Sequence, residues 1–201
     1  IQNIEDEEKN YTGFGHGTMG ILTALARYYK IYRDETVIED IKSSLEWMDT
    51  MFLKEESNWY RDSKKKEIAL GWCHGASGIL LGYSLIKEYC PQVSGIEKYM
   101  KAARNVVIDK GLGNNATLCH GDLGNLEILY IYGKLCGDLE CIQLYEKGIV
   151  WEFYNVILKR WKGQCFRGRE IFGMMIGLTG FGYAITRYLK QESVSAVLFI
   201  E

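Results

Sequence analysis

Proline and histidine are scarce in this chain, and basic residues do not outnumber acidic ones. Its 201 residues include one proline and three histidines, and the formal net charge is −2. The near absence of proline favours long helices, because proline removes a backbone donor and breaks a helix interior. Without a basic surface, the chain is not expected to bind nucleic acid.

A secretory signal and a membrane-spanning run are also missing. The first residues lack the charged and apolar regions of a signal peptide. The longest apolar stretch, residues 173–185, is too short and too rich in glycine to span a bilayer. The six cysteines are therefore expected to be reduced thiols in the cytoplasm. Because the chain starts without Met, in an acidic run at residues 5–8, we expect it to be part of a longer protein.

Glycine, in contrast, is plentiful and regularly placed: the 22 glycines include a recurring block. The first three blocks each place a histidine directly before a glycine, and that glycine is followed three positions later by another. The fourth block keeps both glycines but has Ile176 in place of the histidine. All three histidines and two cysteines thus share one register, which indicates that ligands and proton carriers are gathered at one place. The aligned glycines are Gly17, Gly75, Gly121 and Gly177.

An apolar helix is predicted after each block, and an amphipathic helix after each of the first three. The apolar helices are predicted at 18–32, 76–88, 121–132 and 179–190, and the amphipathic ones at 36–53, 96–107 and 139–161. No stretch shows the alternation of a β-strand. Buried helices alternating with amphipathic ones predict an all-α fold, an α/α toroid of inner and outer helices. Four repeats look too few to close the ring.

Parallel inner helices would bring the glycine blocks to one mouth of the toroid. We expect unpaired N–H groups at the helix starts to point outward there. Cys73, Cys119 and His120 would supply two thiolates and one imidazole and leave a fourth position open, which is typical of catalytic zinc. Repeat position alone leaves His74 as a rival ligand, and it also leaves the reading in which all of these side chains are inert.

The remaining residues of the blocks have both chemical and structural readings. His16 has no adjacent cysteine, so it could transfer protons, although a core histidine is an equal alternative. His74 could orient substrate or carry a second proton, or it could bond within its turn. Asp122 suits the first turn of a helix, and Trp72 suits packing. The cysteines outside the register are read as ordinary free thiols: Cys90, Cys136, Cys141 and Cys165.

These blocks resemble the lanthionine synthetase C-like family, which includes cyclase proteins and the cyclase domains of bifunctional lanthipeptide synthetases. The similarity covers essentially the whole chain, and the forms around both cysteines and the apolar tail at 197–201 favour the class II branch. The matching pieces are Gly15-His16-Gly17, Trp72-Cys73-His74-Gly75, Leu118-Cys119-His120-Gly121-Asp122 and Gly177-Leu178-Thr179-Gly180-Phe181-Gly182-Tyr183.

The resemblance implies a toroid of seven inner and seven outer helices, so residues 1–201 are expected to be the C-terminal part of a cyclase domain. It implies Zn²⁺ bound by Cys73, Cys119 and His120, and proton transfer by His16, with His74 as the alternative donor. The implied reaction joins a peptide cysteine to dehydroalanine or dehydrobutyrine as a lanthionine or methyllanthionine ring. An acidic residue of the earlier repeats, implicated in that chemistry, would lie outside this chain.

The expected substrate is a dehydrated precursor peptide with leader and core. The other expected partners are an N-terminal dehydratase domain and an export transporter, through which a cytoplasmic enzyme could associate with the membrane. Two alternatives carry the same zinc residues. One is a family relative that adds glutathione to dehydrated residues, and the other is a zinc-stabilised helical scaffold without catalysis.

Overall fold

A computed structural model describes residues 9–163, 165–166, 169–191 and 193–199 of the chain. The acidic run at residues 5–8 and the last two residues of the apolar tail lie outside this part, as does the side chain of Cys165. Within it, no helix is long and apolar enough to cross a membrane.

Helices dominate the described residues, and each inner helix starts directly after a glycine block. The inner helices are α1 (Thr18–Tyr32), α3 (Ala76–Tyr89), α5 (Asp122–Cys136) and α7 (Leu178–Leu189). The outer helices are α2 (Thr36–Thr50), α4 (Glu97–Lys110) and α6 (Leu139–Ile157). The predicted starts agree with these within one residue, whereas α2 and α6 end earlier than predicted.

The two sets of helices form two layers, as the burial pattern predicted. Helices α1, α3 and α5 pack side by side, while α2 packs on α1, α4 on α3, and α6 on both α5 and α7. Twelve of the 14 residues of α3 are buried, including small ones such as Ser77 and Gly78. Helix α4 buries only one face, through Met100, Ala103, Val106 and Val107. The all-α prediction and the arrangement of inner and outer helices are confirmed.

Two short hairpins were not predicted. In one, β1 (Phe52–Leu53) pairs antiparallel with β2 (Asn58–Trp59) around a 3₁₀ turn, and in the other β3 (Cys165–Phe166) pairs with β4 (Arg169–Glu170). Strand β1 of the first hairpin contains Phe52 and Leu53, the last residues of the helix predicted at 36–53. Trp59 of this hairpin is 1% exposed, and its ring lies 4.8 Å from that of Phe52. Burial of Trp59 and its contact with Phe52 favour the hairpin over another helical turn.

Candidate metal centre and reaction cavity

The turn before each inner helix has one repeated backbone geometry. The aligned glycine is the N-cap in extended conformation, and the first helical N–H donates to a carbonyl of the preceding turn. The expectation of unpaired amides at these positions is therefore wrong, because the chain satisfies them itself. The pairs are Thr18 to Tyr11 at 2.9 Å, Ala76 to Ala69 at 3.2 Å, Asp122 to Asn115 at 2.6 Å, and Leu178 to Ile171 at 2.9 Å.

Backbone hydrogen bonds join each turn to the turn of the next repeat at equivalent positions. The N–H of Gly15 donates to the carbonyl of Cys73 at 3.1 Å, and the N–H of Cys73 donates to the carbonyl of Cys119 at 3.3 Å. The N–H of Cys119 in turn donates to the carbonyl of Met175 at 2.9 Å. Because both cysteines stand in this series, neighbouring repeats hold them side by side although they are far apart in sequence.

Two glycines allow this close approach between turns. A Cβ on Gly13 would overlap the backbone of Cys73 and His74, and a Cβ on Gly71 would lie 2.5 Å from the Cα of His120. Any larger residue would have to push the neighbouring turn away. Gly13 and Gly71 therefore set the spacing between neighbouring turns.

Cys73, Cys119 and His120 form the cluster that could hold a metal among the described residues. Their ligand atoms all lie within 4.8 Å of one another, and each residue is half-buried. Tetrahedral zinc would hold such ligand atoms roughly 3.5–3.8 Å apart, so a cluster of this spread fits the ion. The structure thus brings His120, and not His74, to the two sulfurs.

The pKa values of the two thiols are shifted in opposite directions. A hydrogen bond from the Cys119 thiol lowers the pKa of Cys73 to about 7. The same hydrogen bond, together with burial, raises the pKa of Cys119 far above its usual value. One proton is therefore shared between two sulfurs, and a second thiolate beside the first would be costly without a cation. This chemistry fits a divalent metal with soft ligands.

His16 and His74 meet beside this cluster. Their rings are stacked with centroids 4.8 Å apart and planes 19° apart, and the ring of Tyr11 lies 5.3 Å from that of His74. The Nδ1 atom of His74 is buried without a hydrogen-bond partner in the described part. Burial, with the nearby charges of His16 and Arg61, lowers the pKa of His74, which favours its neutral form.

A cavity of about 730 Å³ opens at the His16 turn. One side is formed by α1 and the other by Trp72 and the C-terminal residues 197–199. Most of the lining is apolar, so the cavity suits a peptide segment with apolar side chains. Sequence reasoning missed the C-terminal side of this cavity, although the apolar run at 196–199 was a visible signal.

Trp72 and Asp122 have structural partners in the described chain. The indole Nε1 of Trp72 donates to the carbonyl of Leu198 at 2.9 Å. The carboxylate of Asp122 accepts from the N–H groups of Gly113 at 2.8 Å and Asn114 at 3.2 Å. Burial raises the pKa of Asp122, and these two donors oppose that shift. Asp122 therefore fixes the turn that leads into Cys119.

Residues 2–199 match the family described as lanthionine synthetase C-like protein, and the chain belongs to that family. It is 28% identical over 212 residues to the lacticin 481/lactococcin biosynthesis protein LcnDR2 of Lactococcus lactis subsp. lactis, covering 95% of this chain and 22% of that protein. Its fold is similar to that of nisin cyclase, with a TM-score of 0.74 and 19% identity, covering 96% of this chain and 48% of the cyclase. The chain thus spans less than half the length of either relative.

Proposed function

We propose that residues 1–201 are the C-terminal part of a zinc-dependent cyclase domain that forms lanthionine and methyllanthionine rings in a dehydrated precursor peptide. The observation that carries the proposal is the cluster of Cys73, Cys119 and His120, whose ligand atoms lie within 4.8 Å of one another. Family membership and the cavity lined by His16 support it. The cyclase branch is preferred because the named relatives are a lacticin 481/lactococcin biosynthesis protein and a nisin cyclase.

Cys73, Cys119 and His120 would hold the zinc ion. When bound, zinc supplies a Lewis acid that lowers the pKa of a substrate thiol and keeps it as a thiolate near neutral pH. The fold contributes the approach of the two sulfurs, through the hydrogen bond between the Cys73 and Cys119 backbones. The turn held by Asp122 keeps His120 next to them.

The ring forms when the peptide sulfur adds to the β-carbon of dehydroalanine or dehydrobutyrine. A C–S bond forms, the C=C π bond breaks, and the electron pair moves to the α-carbon side as an enolate. His16 donates the proton that the α-carbon needs, because it lines the cavity and is held by its stacking on His74. His74 is the alternative donor. The thiol proton that was lost balances the proton that was gained.

The proposal includes the partners that this chemistry requires. A dehydratase domain preceding the cyclase would supply the dehydrated core, the leader would hold the peptide, and an export transporter would take the product. The five cysteines with described side chains are all free thiols, which is compatible with a reaction in the cytoplasm.

The test compares two substitutions in the intact protein. Cys119→Ala should abolish both zinc content and ring formation, whereas His16→Asn should retain zinc and lower turnover by about 10²–10⁴-fold. Zinc is measured by inductively coupled plasma mass spectrometry, and rings are counted as peptide thiols that resist alkylation. Cys136→Ala, at an exposed thiol outside the cluster, should change neither quantity.

Loss of zinc in His16→Asn would overturn the assignment of His16, and full zinc in Cys119→Ala would overturn the ligand set. Glutathione is offered as a competing nucleophile in the same assay. If glutathione adds to the peptide while its own cysteines stay free, the glutathione-adding function is correct instead. If the zinc-loaded protein catalyses neither reaction, the chain is a scaffold.

A further inference from the structure

The C-terminal residues form one side of the cavity at the His16 turn. Val197, Leu198 and Phe199 line the same cavity as His16 and Trp72. Ala196 and Leu198 are 0% and 1% exposed, so this segment packs into the molecule like part of the core. We call residues 196–199 the C-terminal wall.

Side chains of α5 and α7 hold the segment that leads into the C-terminal wall. The hydroxyl of Tyr183 donates to the carbonyl of Ser195 at 2.9 Å and accepts from the N–H of Val197 at 2.8 Å. The guanidinium of Arg187 donates to the carbonyl of Val194. It also forms a buried ion pair with Glu127, with Nε and Oε1 2.6 Å apart. These bonds fix the backbone on both sides of Ser195.

The other edge of the C-terminal wall is fixed by the second glycine block. Trp72 donates to the carbonyl of Leu198, and its ring packs against Phe14 with centroids 5.9 Å apart. Trp72 directly precedes Cys73, one of the cluster residues. The wall is therefore connected to the cluster through a single residue and is held at both ends.

We propose that the C-terminal wall determines which precursor peptides are cyclised, by contacting the side chain next to the ring-forming cysteine. The inference rests on the proposed function, which places the peptide sulfur at the cluster and its reacting carbon at His16. Trp72 lines the cavity and directly precedes Cys73, so we place the residue next to the ring-forming cysteine of the peptide in the cavity, opposite Val197 and Phe199. Because the lining is mostly apolar, that residue is an apolar one whose size is limited by the wall.

The test enlarges the cavity from the wall side in the intact protein. Val197→Ala and Phe199→Ala are assayed with precursor peptides that carry Ala, Leu or Phe directly after the ring-forming cysteine. We expect kcat/KM for the Phe peptide relative to the Ala peptide to rise about tenfold, the lower range for a change of this size in an apolar pocket. Phe153→Ala, on the exposed side of α6, should leave the ranking of the peptides unchanged.

Tyr183→Phe tests how the C-terminal wall is held. It retains the ring but removes the hydroxyl that bonds Ser195 and Val197, so we expect KM to rise about fivefold with kcat and zinc content within twofold of the parent. A larger loss of kcat with zinc loss would show a general structural role and count against the inference.

A binding measurement separates this inference from the function itself. Fluorescence anisotropy of a labelled peptide, with its cysteine replaced by serine, reports affinity without any reaction. If Val197→Ala and Phe199→Ala rank the Ala, Leu and Phe peptides as the parent does, in binding and in kinetics, the inference is overturned. The proposed function stands in that case as long as the parent still forms rings. Absence of rings in the parent would overturn the proposed function, whereas a shifted binding ranking would still support the wall.

Discussion

Cys73 and Cys119 differ in acidity because one thiol proton lies between two sulfurs that the backbone holds together. The hydrogen bond stabilises the Cys73 thiolate and hinders ionisation of Cys119. Within the described residues, no neighbouring thiol shifts the pKa of Cys90 or Cys141, and burial raises the pKa of Cys90 to about 11 and that of Cys141 to about 12. The cysteine that follows Trp72 is thus distinguished by its neighbour from the next repeat.

This difference predicts the order in which thiols react in the zinc-free chain. Iodoacetamide should modify Cys73 with a rate that rises through about pH 7, whereas Cys90 should remain unmodified at pH 8, because the thiolate is the nucleophile. Peptide mapping by mass spectrometry gives each rate. In Cys119→Ala the midpoint for Cys73 should move upward, since the hydrogen-bond donor is lost. An unchanged midpoint would contradict the shared proton.

At the scale of elements, glycines let helices and turns approach one another closely. A Cβ on Gly78 in the first turn of α3 would overlap the carbonyl oxygen of Trp72 and lie 2.7 Å from the Cβ of Phe14. A Cβ on Gly182 in α7 would have no atom of the other described residues within 4 Å, apart from the backbone of its own helix and its chain neighbours. The same residue type therefore has a packing role in one helix and none in the other.

The two glycines provide a matched pair of substitutions. Gly78→Ala should destabilise the chain by about 2 kcal/mol or more, because overpacking against backbone has no easy relief. It should also weaken zinc binding, since Trp72 adjoins Cys73. Gly182→Ala should stabilise the chain by up to about 1 kcal/mol, since alanine is the better helix former. Urea unfolding measures both, and equal effects of the two substitutions would refute the packing argument.

A buried ion pair between Glu127 and Arg187 joins α5 to α7. Glu127 is 2% exposed, and its burial raises the pKa of Glu127 even though Arg187 opposes the shift. Arg187→Met would leave this carboxylate buried and unpaired. We expect a loss of about 3–5 kcal/mol in the free energy of unfolding at pH 7.

The pH dependence of this loss has a definite sign. In Arg187→Met the pKa of Glu127 in the folded state lies above its value in the unfolded state. The folded state therefore keeps the proton up to a higher pH. The loss should be small below the ordinary glutamate range and should grow as pH rises through the folded pKa. Denaturant unfolding at several pH values measures it. Adding Glu127→Gln should recover part of the stability at pH 7, and a loss independent of pH would contradict this explanation.

At the scale of the whole molecule, α1 and α6 expose apolar surface. On α1, Tyr28, Ile31 and Tyr32 are 42%, 62% and 67% exposed, the last two lie one helical turn after the first, and none of them lines the cavity; we call them the α1 side. Another exposed apolar group lies towards the end of α6. Nisin cyclase, whose fold is similar, is about twice as long as this chain. We therefore expect further repeats of the intact domain to cover the α1 side.

This expectation predicts opposite effects of one substitution in two contexts. Ile31→Glu should reduce self-association of the isolated chain, measured by sedimentation velocity, because it breaks the exposed apolar side. In the intact protein it should destabilise the domain by about 2 kcal/mol or more, because an unpaired carboxylate would be buried. Leu139→Glu, at a residue 69% exposed on an outer helix, should be nearly neutral in both. A neutral result for Ile31→Glu in the intact protein would refute the covered side.

The sequence by itself determined the helices, their two layers and the candidate site residues. Gly17, Gly75, Gly121 and Gly177 marked the starts of the inner helices, because a local N-cap signal needs no distant partner. The paired Cys-His blocks indicated the family for the same reason, because each motif consists of residues adjacent in sequence. The first hairpin was not predictable in this way, since Trp59 becomes buried only through contacts with other elements.

Tertiary structure decided how the repeated turns are used. Cys73 and Cys119 come together through a backbone hydrogen bond between repeats, and that register selects His120 as their neighbour while His74 stacks on His16. It also carries the C-terminal wall to the cavity through the hydroxyl of Tyr183. Such contacts depend on the relative placement of whole helices, which local periodicity does not specify.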